Sequence, residues 1–320
     1  MIEFKKNNVL FNEEVDKCLN NIIQKKSFAN GYIFYGAEGV GKKQTALKFI
    51  NEIFKQSSPG DNIEERINNN NHPDFLIIEP SNISESNRSK SSYLEKTSKS
   101  GSEIIKIAQI RNIKTFLGQK SINAETKIVL IIDAHLLNEA ASNCILKTLE
   151  EPSNGIFIFL TSKLNLLLDT IISRCQIIRF RSFSSKQIKS LLKDYPNSSK
   201  FNINTKLNIE DLINSANGSP DQLLKNIEIW NELSDEITSK LDFPIKNSLE
   251  ILEASKLISE QLEIYQQICL VNLIQIIWWR KTKNIDLVKK LENLKFHLRK
   301  NIQPRLAWEI TLLKISVEDI

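Results

Sequence analysis

The chain has only four cysteines in 320 residues, and Cys18, Cys144, Cys175 and Cys269 never stand two to four residues apart. That spacing excludes an encoded zinc ribbon, and a disulfide framework is not expected in a chain this long. The three histidines, His72, His135 and His297, form no ligand pair, so no metal site is expected. An excess of one charge sign is missing too: 43 Lys and Arg stand against 38 Asp and Glu, a net +5 spread along the chain. A dedicated nucleic-acid-binding protein would need a stronger bias, although a local basic surface stays open. Met1 leads into Ile-Glu-Phe-Lys-Lys without an apolar signal region, and the apolar run Leu270–Trp279 is too short to span a bilayer. The default is a soluble cytoplasmic protein with no membrane partner. At this length a sizeable core and two or three domains are expected.

What is present alternates between short apolar runs and helical patterns. Residues 13–27 carry apolar positions at helical spacing, Val15, Cys18, Leu19, Ile22 and Ile23. Tyr32–Tyr35 reads as a buried strand feeding Gly36, followed by a helix from about Gly41 to Lys55. Phe75–Glu79, Ile128–Asp133, Ile156–Thr161 and Gln176–Phe180 read as further strands, with a helix from about Ile104 to Gly118 between the first two. Continuous apolar strands alternating with helices predict a parallel sheet covered on both faces. The segment 56–71 is polar throughout, and Ser81–Ser102 reads as a mobile loop rich in Ser, Asn and Lys. After Phe180 only helices are predicted: Ser185–Lys193 behind a Ser184-Ser185 cap, Ile209–Ala216, one from Pro220 to near Trp230, and everything after Ile245. The expected domains are 1–182, an α/β P-loop core; 183–240, a small helical lid; and 241–320, an all-α collar for oligomerisation.

The strongest chemical signal follows the first strand. In Gly36-Ala37-Glu38-Gly39-Val40-Gly41-Lys42-Lys43 the glycines suit a loop whose backbone N–H groups wrap a phosphate. The helix start favours negative charge, and Lys42 stands where a lysine pairs with the outer phosphates. The pattern requires Ser or Thr after the lysine to hold Mg²⁺, but Lys43 is an ammonium that repels the metal. Thr45 does not replace the missing hydroxyl, because two residues along a helix turn it about 200° away. Asp133, closing an apolar strand, stands where an acid would help hold the metal, but Ala134 follows it in place of a base. His135 could act as a base but is read more readily as a structural or surface residue. Metal-dependent nucleotide binding is therefore expected to be weak or lost, and intrinsic hydrolysis absent. Thr161, at the tip of the next strand, is a candidate phosphate sensor, although strand-end hydroxyls commonly just form turns.

Arg174 lies between Ser173 and Cys175, just before a strand, where a short connection is exposed. A guanidinium at a subunit edge can reach a neighbour's γ-phosphate and stabilise its transition state. On spacing alone, an ordinary surface ion pair, worth at most about 1 kcal/mol, is the better explanation.

Together, Gly36–Lys42, His72-Pro73-Asp74, Ile131-Ile132-Asp133-Ala134, Ala141-Ser142-Asn143 running into Leu146–Pro152, and Thr170–Cys175 resemble the AAA+ clamp-loader family. Within it, the delta-prime type of bacterial DNA polymerase III is the nearest match, over about residues 1–225. The resemblance implies a five-subunit ring that opens a sliding clamp around primed DNA. Its implied partners are gamma/tau motor subunits, a delta subunit and, through the complex, the sliding clamp and primer–template DNA. It also implies that Arg174 is an arginine finger completing the ATP site of an adjacent motor. Gly36, Gly39, Gly41, Lys42, Asp133 and Thr161 would be a degenerate nucleotide site that requires no cofactor. Motor subunits keep Ser or Thr at the position of Lys43, an acid at that of Ala134 and an arginine at that of Asp221, and none of these is here. The four-cysteine zinc module common in the family is also missing, with 56–71 in its place. The leading expectation is a stator; a motor ATPase and a nucleic-acid-binding module are the alternatives. Trp278, Trp279 and Trp308 could face partner subunits or form plain core.

Overall fold

The computed structural model describes residues 12–57, 62–82, 103–150, 155–194, 209–233, 237, 241, 247–300 and 302–318. They belong to two compact units, Met1–Ser182 and Phe183–Ile320.

In the first unit, α1 (Glu13–Lys25) precedes β1 (Gly31–Tyr35), and α2 (Lys42–Ser57) follows the glycine loop. Then come α3 (Ile63–Asn68), β2 (Phe75–Ile78), the short β3 (Ser81–Asn82) and β4 (Glu103–Ile104), and α4 (Ile107–Gly118). β5 (Lys127–Ile131), α5 (Glu139–Glu150), β6 (Gly155–Thr161), α6 (Asp169–Ile172) and β7 (Gln176–Arg179) complete it. Five strands form one sheet in the order β2-β5-β6-β1-β7, every neighbouring pair parallel.

Strand parity shows how both faces are covered. Ile33, Val129, Ile131, Phe157 and Phe159 pack with Ile110 and Ile113 of α4 and Ala141, Ile145 and Leu149 of α5. The alternate residues of β1 point the other way, where the rings of Tyr32 and Phe34 lie 5.6 and 6.4 Å from that of Phe49 on α2. A strand buried on both faces must read as a continuous apolar run, which is why β1, β5 and β6 were legible. The expected α/β class with a parallel sheet is the one observed.

Three local expectations need correction. The polar stretch 56–71 holds α3, because Ile63 and Ile67, four apart on one helix face, are both buried. The helix expected from Ile104 starts at Ile107, because Glu103–Ile104 pairs antiparallel with Ser81–Asn82. Ser81 and Asn82 are thus strand rather than loop, and 83–102 lies outside the described residues, as do Glu151 and Pro152.

The described part of the second unit is helical: α7 (Ser185–Asp194), α8 (Ile209–Ser215), α9 (Pro220–Glu232), α10 (Ser248–Gln261), α11 (Ile264–Thr282), α12 (Ile285–Arg299) and α13 (Pro304–Glu318). The caps do what their sequence promises. Ser219 accepts from the Gln222 N–H ahead of Pro220, and Asn284 accepts from Asp286 and Leu287. Trp278 and Trp308 are core: their indole N–H groups donate to the Leu241 carbonyl at 3.2 Å and Gln267 Oε1 at 3.0 Å. Trp279 is partly exposed, with the Lys283 ammonium over its ring. Among the described residues no helix is long and apolar enough to cross a membrane, and no three His, Cys, Asp or Glu side chains gather to hold a metal ion.

Candidate functional site

In a parallel sheet all strands end on one side, which gathers residues from distant parts of the sequence. Gly36–Lys42 after β1, Glu79 after β2, Asp133 after β5 and Thr161 at the end of β6 share this carboxyl edge.

The glycine loop keeps its shape. Gly39 and Gly41 have φ of 70° and 88°, which L side chains rarely adopt. Gly36 has a different reason to be glycine, since a methyl group there would lie 2.5 Å from the Phe180 carbonyl oxygen. The lysine is turned inward: Lys42 Nζ donates to the Gly36 and Ala37 carbonyls at 2.8 and 2.6 Å. Burial pushes its pKa down, against the pull of the Asp133 and Glu38 carboxylates. Lys43 Nζ forms an ion pair at 3.0 Å with Glu79. A magnesium ion arriving with a nucleotide would therefore meet an ammonium where it needs an oxygen ligand, and the loop does not fit a metal-bound triphosphate. Thr45 is buried in α2 and supplies no substitute.

Asp133 itself adopts the left-handed conformation, φ 50°, opening the Ala134–Leu136 turn. His135 Nδ1 sits 3.3 Å from the Thr161 hydroxyl, and burial holds the imidazole pKa below its usual value against the pull of the Asp133 carboxylate. Thr161 is fully buried, and its hydroxyl also accepts from the Lys163 N–H at 3.1 Å.

Arg174 lies on the other side of the sheet. It precedes β7, whose first residue pairs with Tyr32 near the start of β1. Gly31 and Gly36 bracket β1, and five residues of strand span about 16 Å. The Cys175 side chain marks the level: a methyl group at Gly31 would lie 2.5 Å from Sγ. Burial pushes this thiol up to about 12, which disfavours the thiolate, and the side chain packs against the start of β1. The turn is tied by Ser173 N–H to Asp169 O at 2.9 Å and Arg174 N–H to Ile171 O at 3.1 Å. The guanidinium donates through one Nη to the Thr170 carbonyl at 3.0 Å and through the other meets Glu150 Oε1 at 2.6 Å. The site residues expected from sequence thus fall into two groups, Arg174 alone on the amino edge and the rest together on the carboxyl edge. Two partners went unrecognised in sequence, Glu79 for Lys43 and Glu150 for Arg174. Each lies 24 or more residues from the cation it meets, so no local spacing reveals it.

Residues 11–184 match a family profile described as "DNA polymerase III, delta subunit". The chain belongs to that family. Residues 186–315 match a second profile, "Cyanobacterial DNA polymerase III delta prime, C-terminal domain". The DNA polymerase III subunit delta' of Bacillus subtilis is 30% identical over 184 residues, 56% of this chain and 50% of that protein. The Pseudomonas aeruginosa delta' subunit is 30% identical over 154 residues, 46% of this chain and 42% of that protein. The B. subtilis tau subunit is also 30% identical, over 56% of this chain and 30% of that protein. The chain thus spans at most half the length of these relatives. Among solved structures it is similar to a DNA polymerase III gamma-subunit-related protein of Thermotoga maritima. That match has a TM-score of 0.49 and 17% identity, covering 94% of this chain and 99% of the other.

Proposed function

We propose that this chain is a delta-prime-type stator of a DNA polymerase III clamp loader, acting in DNA replication in the cytoplasm. It hydrolyses no ATP itself and lends Arg174 to a nucleotide held by a neighbouring gamma/tau motor subunit. Its other partners in this reading are a delta subunit and, through the complex, the sliding clamp and primer–template DNA.

The observation that carries the reading is the separation of Arg174 from its own glycine loop by the length of a strand, about 16 Å. A guanidinium so placed does not serve the phosphates of its own loop, but an exposed turn on the amino edge is accessible to another subunit. The Lys43–Glu79 ion pair supports the same division of labour, since a stator needs no magnesium ligand at that position. The motor reading has the tau relative in its favour, but it leaves Lys43 and Ala134 unexplained. On this account no cofactor is required.

The test is a calorimetric titration of the isolated chain with ATP, with and without magnesium. No magnesium-dependent binding and no turnover are expected. Tight magnesium-dependent binding with hydrolysis would make the chain a motor and defeat the stator reading.

A further inference from the structure

We propose that Glu150 is a positioning residue for Arg174, holding the guanidinium in the orientation in which it meets a neighbour's triphosphate; this rests on the role in trans proposed above. α5 ends at Glu150 on the same edge of the sheet as the Ser173–Cys175 turn, which brings the two side chains together across 24 residues of sequence.

Helix energetics do not account for an acid at this position. The last turn of a helix carries the negative end of its dipole, which favours cations and disfavours a carboxylate. Glu150 therefore sits against its own helix and is compensated by Arg174 at 2.6 Å. The guanidinium is gripped from two sides, by Glu150 and by the Thr170 carbonyl at 3.0 Å. With a longer contact from the same Nη to Ser173 Oγ at 3.5 Å, three of its five N–H donors are engaged, so two remain to meet phosphate oxygens.

The carboxylate has two opposed effects on an incoming phosphate. As a competitor anion its effect is small, because the pair is half exposed, with 39% and 53% of the side chains accessible. Such pairs change equilibria by about fivefold at most. As an anchor its effect is larger, because arginine is among the side chains with most rotamer freedom and misplacement by about 1 Å costs around a hundredfold in rate. Positioning wins, and removing the carboxylate lowers the rate. A finger acts on charge that develops in the transition state, so its orientation alters kcat and leaves KM for ATP alone.

The experiment uses the assembled complex on primed DNA, reading ATP hydrolysis at the site that Arg174 faces. Glu150→Gln, Glu150→Asp, Arg174→Ala and the Glu150→Gln/Arg174→Ala double variant are compared. Glu150→Gln is expected to lower kcat roughly tenfold at unchanged KM, with Glu150→Asp recovering part of the loss. The double variant should be no slower than Arg174→Ala alone. Full activity of Glu150→Gln beside a crippled Arg174→Ala overturns the positioning role and leaves the finger standing. Full activity of Arg174→Ala instead overturns the finger itself. A loss that adds to that of Arg174→Ala makes Glu150 a structural residue and also overturns the proposal. Guanidinium NMR signals of the full chain give a second reading free of assembly. Arg174 should lose a distinct, slowly exchanging signal in Glu150→Gln, and an unchanged signal contradicts the anchor.

Discussion

Replacing Asp74 by alanine should unfold the first unit far more readily while leaving the second untouched. Asp74 is fully buried, and its two carboxylate oxygens accept the backbone N–H groups of Ile122, Asn123 and Ala124 at 2.9, 2.7 and 2.9 Å. These bonds tie down the turn that leads into β5, and hence into Asp133. A hydrogen bond to a charged group contributes roughly 1.5–3 kcal/mol, so three would give an upper sum of about 5–9 kcal/mol. The turn is open to water, however, with Ile122 76% exposed, so the freed N–H groups rehydrate and most of that sum is recovered. A loss of about 3 kcal/mol remains, which in a unit of this size lowers Tm by roughly 6–12 °C. Asp74→Asn keeps one acceptor oxygen and should lose about half as much. All four tryptophans, Trp230, Trp278, Trp279 and Trp308, lie in the second unit, so their fluorescence serves as an internal control during urea unfolding. The transition seen by far-UV circular dichroism should move to lower urea while the fluorescence transition stays. A loss below about 1 kcal/mol would refute the reasoning, because the three bonds would then be replaceable by water at almost no cost.

Cys175 offers a chemical probe of the turn that carries Arg174. Raising its pKa from 9.0 to about 12 leaves about a thousandfold less thiolate at pH 8, so alkylation should be slower than in the urea-unfolded chain by that order. The same shift means that the stability it contributes is complete below pH 9 and is lost as pH rises towards about 12. Gly31→Ala puts a methyl group against Sγ and should raise the alkylation rate at least tenfold; equal rates would mean the turn rests on other contacts.

The strands and most helices were legible because a sheet covered on both faces writes itself as continuous apolar runs. The same logic hid α3, where two isoleucines among polar neighbours bury one face of a single helical stretch. β3 and β4 were missed because a two-residue strand has no period to read. The glycine loop was legible as a local pattern, and the proposal that its chemistry is lost rests on Lys43 and Ala134. The structure adds what no linear spacing carries: Lys42 folded onto its own loop, Glu79 compensating Lys43, and Glu150 gripping Arg174. His72-Pro73-Asp74, met first as part of a resemblance, acquires a physical role. His72 stacks on Phe54 with ring centroids 4.3 Å apart, and its Nδ1 accepts the Asp74 N–H at 3.2 Å, so the motif seats the carboxylate that holds the 122–124 turn. Arg174 does form a surface ion pair, with Glu150 on the amino edge of the sheet, and the proposed role in trans starts from that position.

The central claim is that the chain has given up its own nucleotide chemistry and kept the arginine that serves a neighbour. The direct measurement is DNA-stimulated ATP hydrolysis of the assembled complex carrying Arg174→Ala, read at the nucleotide site that Arg174 faces. A half-exposed side chain on a surface turn contributes little to folding, so the variant should assemble normally. Its turnover at that site should fall by roughly 10³-fold. Wild-type turnover in a correctly assembled complex would contradict the account.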